Sequence, residues 1–99
     1  MIPYKAKTKT VQGVLTSLEP RYSGLVITIQ ALRYSSTNPS AKCHIFDADG
    51  DEVMTPLVGA TDVQVSTPRP ITVKAPLKYL DEEGGNDLTI FGYASKIEV

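Results

Sequence analysis

The sequence predicts an all-β domain, a single antiparallel β-sandwich of jelly-roll or immunoglobulin-like type, on three observations. Nine Val, seven Ile and ten Thr make over a quarter of the 99 residues β-branched, the class that favours pleated strands over helices. Apolar and polar residues alternate with period two in several short runs. Seven Gly and seven Pro break the chain between those runs at roughly ten-residue spacing, the rhythm of a sandwich. A chain of this length has room for one core, so residues 1–99 are read as one domain.

The elements follow in order. Tyr4-Lys5-Ala6-Lys7-Thr8-Lys9-Thr10-Val11 alternates and places three lysines on one side. Two readings suit it: residues 1–9 as an extended docking arm with little apolar surface of its own, or a paired edge strand whose lysines discourage aggregation. The arm is the expectation carried forward. Gly13 interrupts, and Val14–Leu18 is a short strand entering the turn Glu19-Pro20-Arg21. Leu25–Tyr34 is the strongest strand, with Leu25, Ile27, Ile29 and Ala31 on one face. Ser35–Ser40 is a loop, Ala41–Phe46 a strand, Asp47–Gly50 a turn and Glu52–Val58 the return strand. Val63 and Val65 belong to a further strand, ended by Pro68 and Pro70, and Ile71–Ala75 to another. Leu77–Glu83 is the one stretch with a claim to a turn of helix, and Leu88–Ala94 is the last strand. The expected core is Leu25, Ile27, Ile29, Cys43, Ile45, Val63, Val65, Ile71, Val73, Leu88 and Ile90.

No motif for catalysis, cofactor or metal rises from the residues. Cys43 is in phase with Ala41 and Ile45, which makes it a core thiol, and a single cysteine rules out an intrachain disulfide. The only histidine, His44, points to the opposite sheet face and has no partner at metal-ligand spacing. Asp47-Ala48-Asp49-Gly50-Asp51 alternates carboxylates as a calcium loop does. An EF-hand loop, however, needs Gly at position six and Glu at twelve, where this chain has Glu52 and Val58, so a hairpin turn is expected. Asp81, Glu82 and Glu83 are consecutive acids without a sugar platform and read as a solvated loop. Gly84-Gly85 precedes a strand rather than a helix, so it is no phosphate cradle.

Charge is divided along the chain. Residues 1–46 carry six basic and one acidic residue, net +5, and residues 47–99 four basic and ten acidic, net −6. Interleaved strands would cancel that division in space; a dipolar molecule suited to an acidic neighbour or to copies of itself is the other outcome. Nucleic acid is disfavoured because only Tyr4 accompanies the lysines, and stacking aromatics are the usual companions of such a patch. No signal peptide or membrane span is expected. Tyrosine is the abundant aromatic, five against two Phe and no Trp. It suits either edge packing or an interface. The partner-binding candidates are therefore Tyr4, Lys5, Lys7, Lys9, Tyr34, Tyr79 and Tyr93.

Four runs resemble strands of the small all-β structural proteins encoded in tailed-phage virion gene clusters. They are Gly24-Leu25-Val26-Ile27-Thr28-Ile29, Ala41-Lys42-Cys43-His44-Ile45-Phe46-Asp47, Ile71-Thr72-Val73-Lys74-Ala75-Pro76-Leu77 and Leu88-Thr89-Ile90-Phe91-Gly92-Tyr93. The resemblance spans residues 23–94 and implies a non-enzymatic virion protein, assembled in the host cytoplasm. It implies a capsid decoration or cement role, with the major capsid protein or another virion protein as partner and a homo-oligomeric state. An adhesion or carbohydrate-binding module of a fibre or tail is the alternative.

Overall fold

The period-two runs become nine strands in two antiparallel sheets, seen in a computed structural model that describes residues 2–59 and 71–96 and the backbone of 61–64. The strands are β1 (Ile2–Lys9), β2 (Thr16–Leu18), β3 (Leu25–Ser35), β4 (Lys42–Phe46), β5 (Leu57–Val58), β6 (Thr61–Gln64), β7 (Ile71–Lys74), β8 (Leu77–Asp81) and β9 (Asp87–Lys96). The first sheet runs β1-β9-β3, and β6 and β7 share the far edge of β3 in tandem. The second runs β2-β8-β4-β5. Their inner faces meet in one core, where Ile27, Ile29, Leu88 and Ile90 share a cluster with Cys43, Ile45, Leu77 and Tyr79. The fold is an all-β sandwich.

In both sheets, strands from the first half of the chain alternate with strands from the second half. The opposed charges of the two halves are therefore interleaved strand by strand. No helix among the described residues is long and apolar enough to cross a membrane.

A bulge explains one departure from simple alternation. Ile27 and Ile29 face inward, but the next inward residues are Leu32 and Tyr34, and Ala31 is only half-buried. The pairing of β3 with β9 jumps from Ile29↔Gly92 to Ala31↔Phe91, leaving Gln30 as the extra residue, and the inward phase changes there. Gly92 makes this possible: a Cβ at that position would run into the Thr28 carbonyl oxygen.

Four expectations change. Residues 2–9 of the expected arm are strand β1, paired with β9 from Ile2↔Ala94 to Lys9↔Asp87, with Tyr4 and Ala6 buried. The docking arm thus gives way to the edge strand, because Tyr4 and Ala6 already have places in the core. Leu77–Asp81 is strand rather than helix, since its inward row Leu77, Tyr79, Asp81 has period two. The return strand Glu52–Val58 reduces to a bridge between Phe46 and Glu52 and the short β5, with Pro56 between them. Ala31 leaves the inward row, as above. Of the remaining core expectations, Leu25 and Ile71 pack against the core only in part. Val63 lies in β6 opposite Leu32, and Val65, Pro68 and Pro70 lie outside the described residues.

Ile90→Ala should lower stability by about 2–5 kcal/mol in a denaturant melt, as for other fully buried aliphatic side chains. Gly92→Ala should cost a comparable amount although it adds a methyl group. An unchanged midpoint for Gly92→Ala would contradict the close approach of β9 to the bulge.

Candidate partner-binding face

One buried carboxylate fixes how the first sheet is assembled. Asp81 ends the inward row of β8 and is fully buried. It accepts hydrogen bonds from the Thr10 hydroxyl (2.5 Å), the Tyr34 hydroxyl (3.0 Å), the Asn86 amide (3.0 Å) and the Glu83 backbone N–H (3.0 Å). Burial alone would raise its pKa. The hydrogen bonds from Thr10, Asn86 and the Glu83 and Gly84 amides outweigh burial and hold the carboxyl below its usual range. The Tyr34 hydroxyl, which also accepts a hydrogen bond from Asn86 at 2.9 Å, is pushed up by burial first and by Asp81 second.

Two of these donors sit where β1 ends and β9 begins. Thr10 N–H donates to Asn86 O (2.8 Å), Asn86 N–H to the Thr10 hydroxyl (3.0 Å) and Gly85 N–H to Thr10 O (2.8 Å). This pair prolongs the β1–β9 ladder by one step, into the hold of Asp81. The chain then crosses to the second sheet, with Val11 N–H on the Tyr79 hydroxyl (3.1 Å) and Gly13 N–H on Asp81 O (2.8 Å). Gly84, at φ +80°, lies so close to this crossing that a Cβ would come within 2.6 Å of Gln12 N.

The register so fixed determines the outer face of the first sheet. On β1, Lys5, Lys7 and Lys9 point outward and all three are exposed. Across from them on β9 stand Phe91, Thr89 and Asp87, and Tyr93 faces Pro3. The Lys5 ammonium lies 5.6 Å from the centre of the Phe91 ring, a cation–π contact. Phe91 is 39% exposed, unusual for a phenylalanine in a sheet. Arg33 on β3 and Lys74 on β7 extend the same face on its other side. The result is a flat strip of two aromatic rings, about 7 Å apart along the strand, flanked by cations.

The predicted site residues divide accordingly. Lys5, Lys7, Lys9 and the half-buried Tyr93 lie together on this face. Tyr4, Tyr34 and Tyr79 do not: each is at most 2% exposed and belongs to the core. Tyr4 packs edge-on against Tyr22 at 4.9 Å, and burial drives its hydroxyl pKa up. Phe91 is not among the sequence candidates, although the parity of Leu88, Ile90, Gly92 and Ala94 already sends Thr89, Phe91 and Tyr93 outward. Its neighbour Lys5 is a cross-strand fact that no local pattern carries.

The remaining chemistry-bearing groups are engaged elsewhere. Cys43 is sealed in the core, and burial, then Asp81, pushes its thiol up to about 12. His44, on the outer face of the second sheet, sits between Glu52 (3.3 Å) and Glu82 (3.2 Å). Asp47 caps its own turn, accepting from Asp49 N–H and Asp51 N–H at 2.9 Å each, as a hairpin requires. Among the described residues no three His, Cys, Asp or Glu side chains converge as metal ligands. Asp81, read from sequence as solvated, is the correction: its neighbours Glu82 and Glu83 remain at the surface while it is withdrawn into the core.

No protein-family model matches the chain, and no curated protein or solved structure matches it either.

The Asp81 carboxyl is more acidic folded than unfolded, so folding releases its proton and gains stability above the unfolded value near 3.9. That gain disappears as pH falls through the folded pKa. Asp81→Asn should therefore be clearly less stable than wild type at neutral pH, and the gap should narrow by about pH 3. Denaturant melts with a gap independent of pH would refute the buried carboxylate. Tyr34→Phe should cost roughly 1–3 kcal/mol, through the Asp81 and Asn86 groups it leaves short of a partner.

Proposed function

We propose that this domain is a non-enzymatic structural protein of a virion, one that docks on an acidic protein surface and steadies an assembled shell. The observation that carries the reading is the outer face of the first sheet, where Lys5 stands over Phe91, Lys7 and Lys9 continue the row along β1, and Lys74 lies on the same face beyond β3. Rings exclude water at the centre of such a contact, and peripheral cations steer and orient it. A decoration or cement protein works by binding the assembled form in preference to free subunits. That preference shifts assembly by mass action without any chemical step. The only thiol of the chain is sealed in the core, which is in keeping with a non-enzymatic role.

A second reading, an adhesion module for carbohydrate, draws on the same pair of rings, because aromatic faces also stack on sugars. The two readings differ in what the lysines do. Acidic protein needs them; a neutral sugar does not.

Co-sedimentation of the purified chain with assembled shells of the virus that encodes it should recover the chain in the pellet, less of it as salt rises. Lys5→Glu with Lys7→Glu should remove it from the pellet while leaving the melting temperature within a few degrees of wild type. Unchanged recovery of that variant would reject the basic face as the docking surface.

A further inference from the structure

One edge of the first sheet is formed by β1, and among the described residues nothing pairs with the free side of that strand. Three observations identify which backbone groups face that edge. Thr10 N–H bonds to Asn86 O, so the even-numbered residues Tyr4, Ala6 and Thr8 bond to β9 in the same phase. Pro3, which has no N–H to give, falls in the other phase, where a strand tolerates proline. The Pro3 carbonyl accepts the Tyr22 hydroxyl at 3.2 Å, a partner that lies outside the sheet. The N–H groups of Lys5, Lys7 and Lys9 therefore point outward along the open edge, and their ammonium groups stand on the face beside it.

Resting on the docking reading above, we propose that the Lys5–Lys9 edge of β1 takes an extended acidic segment of the partner protein as an added antiparallel strand. The ladder supplies backbone hydrogen bonds, which are indifferent to sequence. Selection comes from the side chains, because an added strand places every second residue directly beside the lysine row. Asp or Glu at those alternate positions meets Lys5, Lys7 and Lys9 in turn. The same lysines exclude a second copy of this chain, since pairing two β1 edges would set two rows of like charge against each other. An edge that repels itself and attracts an acidic strand suits a protein that must stay apart from its own copies until its partner is present. The Tyr22 hydroxyl closes one end of the window and the Thr10 crossing the other.

The test uses the full chain and a labelled synthetic peptide, Glu-Val-Glu-Val-Glu-Val-Glu, with a block peptide of the same composition that cannot alternate. Fluorescence anisotropy should show the alternating peptide bound more tightly than the block peptide, and more weakly as salt rises. Lys7→Pro removes one outward N–H and no bond to β9, so it should weaken binding roughly tenfold or more. Lys7→Gln, which keeps the N–H, should weaken it only a few fold. Isotope-filtered NMR on the wild-type chain gives a readout that needs no variant: NOEs from the peptide backbone to Lys5–Lys9 are expected. Lys7→Pro binding as tightly as wild type, or NOEs to Phe91 and Tyr93 instead of β1, would overturn strand addition and leave face docking standing. Equal binding of the alternating and block peptides would also overturn it, and no binding of any acidic chain would remove both readings.

Discussion

The structure depends on one buried negative charge. Taking a carboxylate out of water is expensive unless its lone pairs are satisfied. Around Asp81 they are satisfied by donors drawn from both sheets and from the connections at one end of the sandwich: Tyr34 from β3, Thr10 after β1, Asn86 before β9 and the Glu83 amide after β8. All of these donors are neutral. Because each of those groups would be stranded without the others, the arrangement is an all-or-none specification of where these segments sit.

Hydrophobic patterning alone specifies less. Sliding β1 against β9 by one residue sends Tyr4 and Ala6 into solvent and the lysines into the core, so burial forbids it. Sliding by two residues keeps every side chain on its proper face. What forbids that slip is Thr10 opposite Asn86, since displacing either leaves Asp81 short of a donor inside the core. The same register sets Lys5 over Phe91 and Pro3 opposite Tyr93. The proposed docking face is thus a consequence of a polar contact buried beneath the other end of the strand pair.

Much of the fold was legible because period-two alternation is a local signal. β3, β4, β7 and β9 fall where Leu25–Tyr34, Ala41–Phe46, Ile71–Ala75 and Leu88–Ala94 alternate. The departures have physical reasons. Asp81 follows Leu77 and Tyr79 in strict alternation, yet an acid among acids reads as solvated until Thr10, Tyr34 and Asn86 are brought to it by the fold. The phase change at Gln30 is set by Gly92 in another strand, so no reading of β3 alone reveals it. Tyr34 and Tyr79 looked available because tyrosine is amphipathic, but each hydroxyl has an internal partner: Asp81 and the Val11 N–H. On the site, the lysines and Tyr93 were legible and Phe91 was not, since its cross-strand neighbour Lys5 is separated from it by most of the chain.

β1 is a paired strand whose backbone alternates between a bonded side and an open side, and both the proposed docking face and the open edge rest on that alternation. Residue-resolved amide exchange on the free chain tests it most directly. Tyr4, Ala6 and Thr8 should exchange slowly, near the rate of global unfolding, while Lys5, Lys7 and Lys9 exchange almost as fast as an open chain. Uniformly fast exchange from Tyr4 to Lys9 would mean that the segment is unpaired, and slow exchange at the lysines with fast exchange between them would mean that the register is wrong.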